Sequence, residues 1–191
     1  MVTSEGRMVF ELYNDTPLHR DNFLKLVNEH IYDGLLFHRV IRNFMIQGGD
    51  PDSRNAKPEQ MLGGGTLGYT VPAEFRPNHI HKKGALCAAR QGDNVNPKKA
   101  SSASQFYVVQ GQVWQDAMLN QMEVSYGKKF SDVQRKVYTT VGGTPHLDGD
   151  YTVFGELVEG MEVLDKIAGV PTNRANRPLE DVKILRVTVL K

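Results

Sequence analysis

The chain has 191 residues, 40% of them hydrophobic and 24% charged, with 23 basic against 22 acidic side chains. That is enough chain for one generous domain or two cramped ones and long enough to bury a real core, and a formal net charge of +1 leaves no basic stripe of the kind that grips nucleic acid. No apolar run approaches the roughly 18 residues a membrane helix needs, and a single cysteine, Cys87, rules out an internal disulfide and a cysteine-based zinc site.

The 18 glycines and 9 prolines predict many tight turns between short strands. Residues 8–13 form the first strand candidate. Thr16 before Pro17 then reads as a helix N-cap with proline in the first turn, and Phe23, Leu26 and Val27 predict an amphipathic helix from 17 to about 28. Asp33-Gly34 turns the chain into a strand predicted over 35–41, on which Phe37, Arg39 and Ile41 share a face. A second short strand, 44–47, puts Met45 and Gln47 on another face and stops at Gly48-Gly49-Asp50-Pro51. Proline and glycine across 51–81 predict a long wrapping loop.

Strands resume at 85–89, 105–109, 151–158 and 182–189, with a short helix over 160–168 that turns Val163, Leu164 and Ile167 to one side. Residues 112–143 differ in character. Trp114, Ala117, Met118 and Met122 recur at helical spacing, Ser131 to Gln134 is a capping-box pattern before Val137, Tyr138 and Val141, and Gly142-Gly143 ends the helix. The stretch reads as a helical hairpin inserted between strands, burying Trp114 and Met118 against the rest of the fold. The alternative is a docking site for a partner or client. For so many short strands, a closed antiparallel barrel is the economical way to avoid exposed edges.

Several local patterns suggest other chemistry and fail on context. Residues 63–68 spell G-x-G-x-x-G, but the dinucleotide loop needs a strand before it and a helix N-terminus after it, where this chain has Pro58 and Pro72. His79 and His81 sit at strand spacing, yet no third ligand lies nearby and Pro77 and Lys82-Lys83 predict an exposed turn, so no metal is assigned. Asn14-Asp15-Thr16 spells a glycosylation sequon and reads better as a turn feeding the helix cap. Cys87 lies in an apolar run and reads as an inert core thiol. Serine triads can be drawn on paper, but no G-x-S-x-G elbow supports one.

Residues 37–50, FHRVIRNFMIQGGD, stand apart. An arginine alternating with large apolar side chains is costly unless it points into a cleft, and Gln47 beside Met45 makes the same point; the alternative is an edge strand with Arg39 in solvent. The segment resembles the signature of the cyclophilin family of peptidyl-prolyl cis-trans isomerases. The resemblance continues in order through residues 83–90 (KGALCAAR), 104–107 (SQFY) and 147–155 (LDGDYTVFG), with Thr16-Pro17 and Asn22-Phe23 also in place. It spans nearly the whole chain outside 112–143, and the sequence around Pro145-His146-Leu147-Asp148-Gly149 looks like a bacterial branch.

The resemblance implies a mainly β fold: a closed eight-stranded antiparallel barrel capped by two helices. It would be a single domain over residues 1–191 with the helical insertion at about 112–143, and with its active groove on the outside. Arg39 matches the catalytic arginine, and Phe44, Met45 and Gln47 match pocket and substrate-contact positions. Ala89 and Arg90 match a backbone-binding pair that is usually alanine-asparagine. Gln105 matches a substrate-binding glutamine, Tyr107 a pocket floor that is usually phenylalanine, and Leu147 a pocket wall. His146 stands where many eukaryotic members have a tryptophan that supports cyclosporin binding, and Tyr151 replaces a rim histidine. With Arg90, these departures imply weak or no cyclosporin binding.

The implied activity is rotation about X-Pro bonds in protein substrates, assisting folding. Its partners would be proline-containing peptides and unfolded or partly folded proteins, with no cofactor, metal, nucleic acid or membrane, in a monomeric protein. The expected compartment is the cytoplasm, or the periplasm if an N-terminal segment was removed. A module that grips proline segments with little turnover is the second reading, in which Arg90 and Tyr151 reshape the groove.

Overall fold

In a computed structural model describing residues 1–190, the chain runs β1 (Val2–Thr3), β2 (Gly6–Arg7), β3 (Val9–Leu12), α1 (Pro17–Asn28), β4 (Arg39–Ile41), β5 (Met45–Gly48), β6 (Thr70–Val71), β7 (Ala85–Ala88), β8 (Ser101–Ser102), β9 (Phe106–Val109), α2 (Asp116–Tyr126), α3 (Asp132–Thr140), β10 (Val153–Glu159), α4 (Met161–Ala168) and β11 (Ile184–Arg186). The fold is mainly β, and its strand pairs are antiparallel. Instead of one closed eight-stranded sheet, the described residues form a six-stranded sheet (β3-β10-β7-β9-β5-β4), a three-stranded sheet (β11-β1-β2) and the pair β6-β8. The reason is local. Residues 35–38, expected in strand, keep only the bridge Leu36↔Lys183. Register shifts also interrupt the β1–β11, β10–β3 and β10–β7 pairings, and such irregularities break the ladder and bend the strand.

Alternation along the strands separates two faces. One row across the large sheet runs Val40–Ile46–Val108–Leu86, and the adjacent row runs Arg39–Gln47–Tyr107–Cys87. The first row joins the main core with Phe23, Phe106, Phe154 and Leu164, to which α1 and α4 both contribute. The second row forms a smaller cluster on the opposite face, where Met45, Cys87, Tyr107 and Val109 are edged by Phe44, Leu147 and Tyr151. Two expectations change here. Phe37 lies in the main core rather than beside Arg39, because strand geometry begins only at Arg39. Met45 and Gln47 share the face of Ile41 and Arg39, because the hairpin pairs Arg39 with Gln47 and Ile41 with Met45. Asn43 takes the hairpin's left-handed position at φ +61°, which asparagine tolerates better than most residues.

α1 has the predicted bounds, but Thr16 makes no side-chain cap. Glu74, from the long loop, caps it instead: its carboxylate accepts from the Leu18 and His19 amides at 3.2 and 3.0 Å. The insertion leaves and rejoins the sheet at one point, where Gly143 bridges both Gln112 and Lys82. Gly111, at φ +65°, lies so close to the Gly143 backbone that no side chain fits. α2 ends on left-handed Gly127, and α3 opens with the predicted capping box of Ser131 and Gln134. Between them sits a small core of Leu119, Phe130 and Tyr138, joined by Trp114, Met122 and Ile80. Trp114 packs into this core of the insertion, which Ile80 joins from outside, rather than broadly against the rest of the fold, and Met118 is exposed; the inward stripe of α2 is Leu119 and Met122.

Candidate active site

β4 is an edge strand of the large sheet, so Arg39 reaches inward across β5. It is half-buried. Its Nη1 donates to Gln47 Oε1 at 3.2 Å and lies 4.0 Å from Met45 Sδ. Gln47 Nε2 donates to Gln105 Oε1 at 3.2 Å, and Gln105 Nε2 donates to the Gly63 and Gly65 carbonyls, both at 3.0 Å. This relay fixes both amide orientations, since each oxygen must face a donor. Among the described residues, Arg39 Nε and Nη2 have no hydrogen-bond partner. Burial lowers the Arg39 pKa, yet a guanidinium keeps its charge at neutral pH.

Arg39 borders a pocket of about 110 Å³ whose other walls are Phe44, Met45, Gln47, Ala89, Arg90, Tyr107, Leu147 and Tyr151. Met45 and Tyr107 are buried, and burial raises the Tyr107 hydroxyl pKa well above its usual value, keeping it protonated. Phe44 is pinned by its carbonyl, which accepts from the Gln110 and Gly111 amides at 3.0 Å each. Its ring faces the Arg39 guanidinium at 6.0 Å and stacks on His146 at 5.8 Å. His146 therefore backs a wall rather than lining the pocket. Gln105 also stands outside it, in a second cavity of about 400 Å³ that shares Gln47, Ala89 and Arg90 and is bounded by Gly63–Gly65.

The two unusual residues Arg90 and Tyr151 form a pair. The Arg90 guanidinium carbon lies 4.4 Å from the centre of the Tyr151 ring, Nε donates to Asp150 O at 2.7 Å, and Nη1 donates to Asp93 at 2.6 Å. The arginine head thus folds back onto the rim instead of projecting across the groove.

Sequence reasoning missed the support beneath the floor. His81, expected in an exposed turn, is fully buried: its Nδ1 meets Asp148 Oδ1 at 2.8 Å and its Nε2 meets the Tyr107 hydroxyl at 3.0 Å. Asp148 accepts two further bonds, from the His81 amide (2.8 Å) and the Tyr138 hydroxyl (2.6 Å). His79 turns away to Asp15 and stacks on Tyr13, so the two imidazoles do not converge. Side chains 67 positions apart leave no local pattern. The available hint was the tyrosine at 107, where the resemblance implies a phenylalanine, since a buried hydroxyl needs a partner.

The remaining patterns resolve structurally. His19 bridges Glu74 Oε2 (2.7 Å) and Ser101 Oγ (2.9 Å), a triad-like arrangement. All three side chains are buried, and Glu74 is engaged as the α1 cap, so Ser101 meets no substrate. Burial also lowers the His19 pKa against the pull of Glu74, which leaves a neutral imidazole. The glycine loop 63–65 wraps Asp50, whose carboxylate accepts from the Gly63 amide, and leads to β6 rather than to a helix. Cys87 is buried, and burial pushes its thiol pKa well up.

Residues 1–189 match the family model for cyclophilin type peptidyl-prolyl cis-trans isomerases. A Staphylococcus haemolyticus protein that carries the provisional name peptidyl-prolyl cis-trans isomerase is 38% identical over 190 residues, covering 99% of this chain and 89% of that protein. A Staphylococcus aureus protein with the same provisional name is 36% identical over 191 residues, with the same two coverages. The crystal structure of a Cryptosporidium parvum cyclophilin type peptidyl-prolyl cis-trans isomerase superposes with a TM-score of 0.69 at 25% identity, over 97% of this chain and 92% of that one. The chain belongs to the cyclophilin family, and its activity is the cis-trans isomerisation of peptidyl-prolyl bonds.

Proposed function

We propose that the pocket beside Arg39 is where the X-Pro bond turns, with Arg39 as the catalytic residue. The carrying observation is a fixed guanidinium with Nε and Nη2 free at the edge of an apolar pocket. Amide resonance sets a rotation barrier of about 18–20 kcal/mol, while the two X-Pro isomers differ by only about 1 kcal/mol. In the twisted transition state the prolyl nitrogen's lone pair is no longer delocalised and accepts a hydrogen bond. A donor aimed there stabilises that state more than the planar ground states. An acceleration of about 10⁵-fold requires about 7 kcal/mol, shared among the Arg39 donors, a water-poor pocket and fixed backbone contacts.

In this reading Phe44, Met45, Tyr107 and Leu147 hold the proline ring, and Gln47 keeps Arg39 aimed. Ala89, with the Arg90 backbone and Gln105, meets the substrate's main chain along the second cavity. His146 steadies Phe44 from behind, and Tyr151 forms the rim. The substrates are proline-containing segments of unfolded or partly folded chains, bound by a monomer whose barrel and insertion form one domain. Barrel closure is supported by bonds between the segment leading into β4 and the β11 edge: Ile184 N to Leu35 O (2.8 Å) and Phe37 N to Val182 O (2.9 Å). With Arg90 folded onto Tyr151 and histidine at 146, cyclosporin is held weakly. The same folding-back of Arg90 removes the motive for a gripping module without turnover.

The test is proline-limited peptide exchange in wild type and Arg39→Ala, with peptide affinity measured alongside. The expected result is a large loss of exchange rate with affinity largely kept. Unchanged exchange in Arg39→Ala would move the site elsewhere.

A further inference from the structure

The insertion meets the pocket through two sets of bonds. Lys128, on the turn between α2 and α3, spends its ammonium donors on one loop: His146 O (2.7 Å), Asp148 O (2.6 Å) and an Asp150 carboxylate oxygen (2.7 Å). That loop carries Leu147 and leads directly into Tyr151, both of which line the pocket. Tyr138, at the centre of the insertion's small core, starts the second set: its hydroxyl donates to Asp148 Oδ2, Asp148 Oδ1 accepts from His81 Nδ1–H, and His81 Nε2 accepts from the Tyr107 hydroxyl. The directions are consistent. Burial keeps both phenols protonated, so each can donate, and in the tautomer that gives Nδ1–H to a carboxylate a neutral imidazole presents Nε2 as an acceptor.

We propose that the helical insertion is a positioning element for the proline pocket, Lys128 holding the wall loop and Tyr138 holding the floor through Asp148, His81 and Tyr107. The proposal rests on the pocket assigned above. An insertion that only filled space would need neither contact, because Leu119, Phe130 and Trp114 already give it a core. Three polar bonds from one lysine onto one short loop, and a buried relay ending on the floor hydroxyl, tie the hairpin to the surfaces that would grip the ring. Loosening them shifts apolar contacts that ground and transition states share, so the loss falls on KM rather than on kcat.

The experiment measures kcat, KM and melting temperature on an X-Pro peptide for Lys128→Met, Tyr138→Phe and Tyr107→Phe, with Arg39→Ala as reference. Lys128→Met and Tyr138→Phe are each expected to raise KM roughly three- to tenfold while kcat stays within about twofold of wild type. Tyr138→Phe should add little on top of Tyr107→Phe, because both cut the same relay. Should Tyr138→Phe fail to fold, Lys128→Met carries the test alone, since it alters a partly exposed turn. If KM holds at the wild-type value in Lys128→Met and in any folded Tyr138→Phe while Arg39→Ala is inactive, the positioning role is overturned and the pocket stands. Full activity in Arg39→Ala overturns both.

Discussion

His19 and His81 are both sealed from solvent, and each bridges a carboxylate and a hydroxyl: Glu74 and Ser101 for the first, Asp148 and Tyr107 for the second. What differs is where the wiring ends. Glu74 continues into the amides of α1, and Ser101 lies in the short β6–β8 pair, lining neither of the two cavities at the groove. Tyr107 is the floor of a pocket beside a guanidinium with free donors, and Asp148 adjoins its wall. Histidine–carboxylate wiring alone therefore identifies nothing; the space at its end decides between a strut and a site.

Glu74→Ala should break the contrast hardest. It removes the α1 cap and a partner of buried His19, and is expected to cost about 2–4 kcal/mol in denaturant unfolding. Exchange activity per folded molecule should be kept; lost activity at full stability would erase the distinction between the regions. On the pocket side, Gln47→Leu releases the aim of Arg39 and is expected to lower kcat about tenfold, read from peptide exchange at saturating substrate. A change confined to melting temperature would make Gln47 a strut as well.

A smaller effect separates fold from chemistry by pH. Burial lowers the pKa of His19, His38 and His146 from the ordinary 6.5. Below about 6.5 the unfolded chain therefore binds more protons than the native one. Stability should be fully present well above that value, at pH 7.5, and fall as the pH drops through it toward 5.5. The catalysed rate should stay flat wherever the protein remains folded, because the proposed donor does not titrate there. A bell-shaped profile would bring a histidine into the reaction.

The legible parts of this protein were those encoded by neighbours in sequence. The resemblance carried by residues 37–50 pointed to the hairpin of Arg39 and Gln47, although alternation alone put Met45 and Gln47 on the wrong face; the apolar spacing of Phe23, Leu26 and Val27 fixed α1, and Gly142-Gly143 marked where the insertion returns. The two-residue strands β1, β2, β6 and β8 are too short to show alternation. Phe37 was misplaced because the irregular backbone before Arg39 breaks the period of two. The pairing of Arg90 with Tyr151, the capping of α1 by Glu74 and the relay from Tyr138 to Tyr107 join distant segments, and single residues carry no mark of such partners.

The most direct measurement is X-Pro exchange at saturating peptide in wild type and Arg39→Lys. Lysine keeps the positive charge but not the planar fork. The account predicts peptide affinity near wild type and a loss of roughly 100-fold in kcat, the scale of removing one preorganised transition-state donor. Turnover within about twofold of wild type, less than 0.5 kcal/mol in barrier, would contradict the claim that the free guanidinium donors of Arg39 drive the rotation.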